Sequence, residues 1–354
     1  MREWFVRDGS IKSYSGSETV VEIPREIYGH EIEEIGDFSF SPNNSKLKPE
    51  TIQNRCRITK ITVPEGVKRI GAGAFMGCSS LSEVCLPDSL ESIGCNAFQD
   101  CISIREIHLP KTVSIDGAAF SGCISLVSFE LPQVIKVSYS HTKNWYTPSD
   151  CFSFCRSLKD VCIPHGVIEI KHGTFFKCTS LRTIKIPETV KYIDDYAFMS
   201  CESLEEITIP DYVCDIRSSL FGECYNLHTV NLSRNVKEIH SWAFRNCTSL
   251  KGIELPKSLE KIGHEAFQNS GLIEITIPER VEELGFTTFI GCQSLRKVMI
   301  LGKNTSVFEL GKYVYQRHPF CEDFPNIKDI CIAGYSGSMA ETFAREHGMP
   351  FESL

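Results

Sequence analysis

The sequence holds little of what most functional classes require. Its 354 residues include three Trp and six Met, and no run approaches the roughly 20 apolar residues of a membrane-spanning helix, so no membrane span is expected. Basic residues are the minority, with 37 Lys and Arg against 45 Asp and Glu and a net charge of -8. Such a chain repels a phosphate backbone, and nucleic acid is not expected as a partner. No Cys-x-x-Cys pair and no His-Glu-x-x-His pattern occurs, so zinc-type spacing is missing and neither a metal nor another cofactor is expected. No Gly-x-Ser-x-Gly elbow, Walker loop or dinucleotide-type glycine cluster occurs either. No catalytic residue is therefore assigned, and an enzyme stays a remote alternative. The first residues, Met1 to Gly9, hold no apolar stretch of signal-peptide length. As written, the sequence points to the cytoplasm; secretion or the cell surface is the alternative if a signal segment has been removed.

What is present is a repeat. Hydrophobic residues make up 42% of the chain and charged residues 23%, enough for an ample globular core. Proline recurs at Pro64, Pro87, Pro110, Pro132, Pro164, Pro187, Pro210, Pro256 and Pro278, with Ser233 filling the one gap in phase. Phenylalanine follows at Phe75, Phe98, Phe120, Phe152, Phe175, Phe198, Phe221, Phe244, Phe267 and Phe289. Three residues later stands a cysteine, at Cys78, Cys101, Cys123, Cys155, Cys178, Cys201, Cys224, Cys247 and Cys292, with Ser270 the exception. One unit reads Leu-x-x-Ile-x-Leu-Pro, then Val-x-x-Ile-Gly, then Ala-Phe-x-x-Cys-x-x-Leu. Alternating Val, Ile and Leu ahead of the proline predict a short strand with one buried face. Proline has no N–H to give a ladder and closes the strand. A unit of about 23 residues cannot bury its own apolar face, so units must stack into a solenoid with Phe upon Phe. The cysteines are expected to serve as small buried hydrophobes beside that layer. Seventeen is an odd number, so full pairing within the chain is impossible, and unpaired thiols in such number suit a reducing compartment.

This unit resembles the BspA-like, or Treponema-type, leucine-rich repeats of bacteria and some protozoa, over about Ile23 to Ile332. The resemblance implies an α/β-type repeat solenoid: a right-handed leucine-rich-repeat coil with short parallel strands on the concave face, mostly strand and loop. Few helices are expected apart from a C-terminal capping helix. Residues 1–23 would form N-terminal capping strands and residues 24–332 a solenoid of about 11 to 12 coils. Residues 333–354 would form a C-terminal cap, in which Ser338-x-x-Glu341 reads as a capping box ahead of an apolar stripe of Ala340, Phe343 and Ala344. Capped ends favour a monomer. The family implies protein or host-surface recognition, its described members being mostly adhesins and surface proteins.

Departures from the repeat locate candidate binding residues. Insertions are expected near 41–55, read as a polar loop, near 133–151 and near 302–318. The second holds Tyr139, His141, Trp145 and Tyr146, and the third Phe308, Tyr313, Tyr315 and Arg317. Aromatics and Arg in protruding loops are binding anchors, unless they fold back to cover their own loop. The outward positions of the strands supply a second candidate: Glu83, Glu106, His108, Glu130, Asp160, Lys185, Glu206, Asn231, Glu254 and Glu274. Their acidic bias would favour a cationic partner, the competing reading being a sheet face kept soluble by charge. The expected function is a non-catalytic scaffold that binds a protein through the strand face or the Trp145 loop. A cell-surface glycan adhesin using Trp145, Tyr146 and Tyr139 is the alternative.

Overall fold

In the computed structural model, residues 3–43, 46–131, 151–308 and 329–354 are described. The chain divides into two compact units, Met1–Val167 with Lys171–Pro187, and Ile168–Ile170 with Glu188–Leu354. Each is a parallel-strand β-solenoid of the leucine-rich-repeat kind.

In the first unit the expected strand before the proline forms one ladder of Val20–Glu22, Lys60–Thr62 and Glu83–Cys85, all parallel. Ser128–Glu130 pairs in parallel with Asp160–Cys162, and Cys162 bridges on to Lys185. A second ladder departs from the expectation of one strand face. The Val-x-x-Ile-Gly segments do more than return the chain to the core, because Glu34–Ile35, Arg69–Ile70, Ser92–Ile93 and Ser114–Ile115 also pair in parallel. Ile stands on Ile throughout. At its start lie Ser10–Tyr14 and the antiparallel strand Trp4–Arg7. The glycine of Ile-Gly has a steric reason: a Cβ on Gly94 would come within 2.8 Å of the Ala72 nitrogen in the preceding coil. The second unit repeats both ladders, with Glu206–Thr208 beside Thr229–Asn231 in one and Asp215–Ile216, Glu238–Ile239 and Lys261–Ile262 in the other.

The phenylalanines stack as the repeat requires. Phe40, Phe75, Phe98 and Phe120 follow one another at centroid spacings of 5.1, 5.1 and 5.4 Å, and Phe98 and Phe120 are within 4° of parallel. Phe221, Phe244 and Phe267 do the same in the second unit, at 5.6 and 5.2 Å. Those distances follow from strand spacing of about 4.8 Å with the rings slightly offset. Most of the rings sit in a turn with left-handed residues on both sides, such as Asn96 and Asp100 around Phe98 or Trp242 and Asn246 around Phe244, with φ of 57 to 61°. That backbone turns alternate N–H groups onto the next coil: Gly73, Phe75 and Gly77 donate to the carbonyls of Cys95, Ala97 and Gln99, each at 2.8 Å. The ring layer thus has a hydrogen-bond ladder of its own.

Both ends are closed. Helix α2, Met339–Glu346, starts where the capping box places it, since the Ser338 hydroxyl accepts from the Glu341 N–H and the Glu341 carboxylate accepts from the Gly337 N–H. Ala340, Phe343 and Ala344 are its buried residues. At the other end a correction is needed, because part of the first insertion is a helix, α1, Pro49–Cys56, and not a loop. Proline at its start, Glu50 in the first turn and Arg55 in the last are helix signals that the neighbouring turn residues Pro42 and Asn43 obscured. Arg55 is 1% exposed. Its guanidinium donates to the Tyr14 carbonyl at 2.9 and 2.7 Å, to the carbonyls of Ser41 at 2.6 Å and Phe38 at 3.2 Å, and to the Ser13 hydroxyl at 2.7 Å. Burial pushes its pKa down to about 10. One arginine therefore ties α1 to the first coil through backbone oxygens.

Two variants test this account. Phe98→Ala should cost about 3 to 5 kcal/mol in denaturant unfolding, because the neighbouring coils are held apart by their backbones and cannot close the cavity. Arg55→Ala should cost at least about 2 kcal/mol, since it leaves buried carbonyls without donors. A loss below about 0.5 kcal/mol for either would contradict the role given to it.

Candidate partner-binding surface

The strand face is built by alternation. In Ser128–Glu130 the Phe129 side chain goes to the core, where its ring lies 4.4 Å from that of Phe152, which leaves Ser128 and Glu130 outward. In-register pairing carries these directions from coil to coil, so Glu130 lies beside Cys162, and Cys162 beside Lys185, while Ser128 lies beside Asp160. Over this stretch runs an open groove of about 700 Å³, lined by Glu106, His108, Lys111, Glu130, Asp160 and Lys185 above Phe129, Val161 and Ile184.

All ten expected strand-face residues are exposed: Glu83, Glu106, His108, Glu130, Asp160 and Lys185 in the first unit, Glu206, Asn231, Glu254 and Glu274 in the second. They are not electrostatically alike. Glu83 is held by Lys60 at 2.9 Å, and that carboxylate raises the Lys60 pKa. Glu274 stands in register with Lys297, whose amine reaches Glu352 at 2.6 Å. Asn231 donates to the Thr208 hydroxyl at 3.1 Å. Glu106, Glu130 and Asp160 have no ion-pair partner among the described residues, as is true of Glu206 and Glu254 in the second unit, and in the first unit these open carboxylates line one groove. Immediately before the outward positions stand Arg105, Lys159 and Arg182, all exposed. The face is therefore an acidic strip with a basic margin, a finer pattern than the acidic bias expected of it.

Tyr139, His141, Trp145 and Tyr146 lie outside the described residues, as do Tyr313, Tyr315 and Arg317. Phe308 is a correction. It belongs to the strand Ser306–Phe308, paired with Glu283–Gly285, so the coil keeps its phase through position 308 and the insertion starts later than expected.

The chain matches the family model for the BspA type leucine rich repeat region over residues 45–142, 146–269 and 215–322. It belongs to the BspA-type leucine-rich-repeat family. Among solved structures, this BspA-type protein resembles a leucine-rich repeat protein from Bacteroides ovatus at 24% identity and TM-score 0.60, over 99% of this chain and 97% of that one. It also resembles the pneumococcal vaccine antigen PcpA, at 17% identity and TM-score 0.58 over 98% and 91% of the two chains. A leucine-rich cell surface protein from Faecalibacterium prausnitzii aligns at 22% identity and TM-score 0.52, over 97% and 89%. These likenesses establish the fold. No curated protein matches the sequence.

Sequence reasoning placed the repeat cysteines in the core but gave them no bond. In the BspA-type coil the thiol donates to the phenylalanine carbonyl of the preceding coil, as from Cys101 to Phe75 and Cys123 to Phe98, both at 3.2 Å, and from Cys247 to Phe221 at 3.1 Å. Burial pushes Cys78 and Cys123 up to about 12 and Cys292 up to about 11, the reverse of what a nucleophilic thiol needs. Among the described residues no cysteine is joined in a disulfide. A second network missed by the sequence reading lies in the second unit, where the carboxylate of Glu265 takes the Trp242 indole N–H at 3.0 Å and His264 at 2.9 Å. Its signal was legible, since Trp242 and Glu265 occupy left-handed positions that other coils fill with Gly73, Asn96 or Ser219.

The cysteines yield a prediction with a definite sign. A raised folded pKa favours the neutral thiol, so the stabilisation is complete below the ordinary value of 9.0 and is lost as pH rises toward about 12. The denaturant midpoint under reducing conditions should fall clearly between pH 7.5 and 10.5. At pH 8 iodoacetamide should label exposed Cys85, Cys162 and Cys214 while sparing Cys101, Cys123 and Cys247. Peptide mapping that found the buried set labelled in folded protein would contradict the assignment.

Proposed function

We propose that this BspA-type protein is a non-catalytic scaffold, of the interaction or adhesion kind, that holds a protein partner on its strand face, chiefly in the groove of the first unit. Leucine-rich-repeat proteins are typically protein-binding or surface scaffolds. The observation that carries the reading is the groove of about 700 Å³, where Glu106, Glu130 and Asp160 stand open above an apolar floor. An open groove on paired strands accepts an extended segment, and the unpaired carboxylates favour basic side chains on it. The basic margin of Arg105 and Lys159 would meet acidic groups at the partner's edge, which sets orientation more than affinity. Glu206, Glu254 and Asn231 offer a polar surface of the same kind in the second unit.

The test is a triple variant, Glu106→Lys, Glu130→Lys and Asp160→Lys, compared with the intact protein in quantitative capture from source-cell lysate and from host membranes. Its fold should be unchanged, since all three residues are exposed, and the partner's affinity should fall by at least about tenfold through like-charge contact. Glu238→Lys, on the other ladder, should bind normally. Equal capture by the triple variant of every partner taken by the intact protein would refute the reading.

A further inference from the structure

In the second unit the Val-x-x-Ile ladder is interrupted by tyrosine. The outward residue of its two-residue strands is Asp215, Glu238 and Lys261 in successive coils, all polar. One coil earlier the same phase holds Tyr192, in register with Glu169. Two positions after the proline, where other coils carry Ser89, Thr189, Asn235 or Ser258, stands Tyr212. The side-by-side coils thus act as internal controls, and they show that neither tyrosine is needed to make the turn or the strand. Both remain largely in solvent, Tyr192 66% and Tyr212 65% exposed, so neither supports the core. Two unsupported aromatics that border one depression are the composition of a contact site.

Tyr192 and Tyr212 line an open groove of about 500 Å³ with Glu169, Lys191, Asp215 and Arg217. Its electrostatics choose among occupants. Arg217 is already engaged, its Nε lying 3.4 Å from Asp195 and 4.0 Å from Asp194. Carboxylates from Glu169, Asp194, Asp195 and Asp215 then outnumber the cations Lys191 and Arg217. Tyrosine faces beside excess negative charge attract a cation, and a planar guanidinium suits them best. It stacks on rings, forms two parallel hydrogen bonds to a carboxylate and loses its hydration more readily than an ammonium. A neutral sugar would also stack on the rings but would gain nothing from the negative charge.

We infer that this groove is a second docking site, separate from the strand face of the first unit, and that it takes an arginine-bearing segment of a partner protein. The guanidinium lies against Tyr192 and Tyr212, with Asp215 as its acceptor.

The test uses the full chain and a labelled blocked peptide, acetyl-Gly-Arg-Gly-Arg-Gly-amide, at low ionic strength, beside its citrulline counterpart, which keeps the shape and loses the charge. The arginine peptide should bind and the citrulline peptide should not. Tyr192→Ser with Tyr212→Ser, residue types borrowed from neighbouring coils, should weaken binding by about tenfold, and Asp215→Asn should weaken it as well. Glu106→Lys with Glu130→Lys should leave it unchanged, which keeps this result distinct from that for the first unit. No binding of the arginine peptide, equal binding of the citrulline peptide, or full binding by the double tyrosine variant would overturn the proposal. A glycan-array signal that disappears in the double variant, with no arginine-peptide binding, would overturn it in favour of a sugar.

Discussion

A coil of this length cannot enclose a phenylalanine ring, so each ring is covered by the rings of its neighbours, at 5.1 Å between Phe75 and Phe98 and 5.2 Å between Phe244 and Phe267. Much of the rest follows from that dependence. Stacked rings require coils that return to the same place, which holds Ile70, Ile93 and Ile115 in register along one ladder. They also require a turn tight enough to aim the ring inward, which puts left-handed backbone before and after it. The cysteine completes the arrangement by bonding a ring-bearing residue's carbonyl in the coil behind. Ser270 shows how far the position tolerates change: its hydroxyl lies 3.2 Å from the Cys292 sulfur, so a small polar hydrogen-bonding group still fits.

Because the core is secured by inward positions, the outward ones are released from folding. The two ladders spend that freedom differently. The strand face of the first unit collects open carboxylates around a groove, while in the second unit the other ladder carries Tyr192, and the turn leading into it Tyr212, where neighbouring coils carry polar residues. Elsewhere the freedom is used internally. Trp242 and Glu265 accept left-handed backbone, which costs a large side chain about 1 to 3 kcal/mol, and the Glu265 carboxylate is satisfied by Trp242 and His264.

Much of the fold was legible because a repeat states each rule many times. Proline, phenylalanine and cysteine in one phase place strand, ring and thiol from the sequence alone, and Ser338 with Glu341 announces the closing helix. Single occurrences were harder to read. Helix α1 appears once, and its start at Pro49 was hidden by the turn residues before it. The second ladder was missed because two residues per coil are too few to show alternation, and pairing comes from the coil alongside. Phe308 was assigned to an insertion because the phase of one coil, without its neighbour, does not show where pairing ends.

The candidate surface divides in the same way. By itself the sequence determined which residues face outward, since period-two alternation settles that locally, and all ten strand-face positions are exposed. It also determined the family, because the repeated apolar, proline and glycine positions are conditions of stacking that recur in every coil. Only the tertiary structure decided which outward charges are neutralised. Glu83 meets Lys60 and Lys297 meets Glu352, whereas Glu106, Glu130 and Asp160 share a groove without partners. The tertiary structure likewise brought Tyr192 and Tyr212 to one groove and fixed Arg55 on carbonyls from the first coil. The reason is range: alternation and capping act within a few residues, but charge pairing and groove formation join residues one or more coils apart.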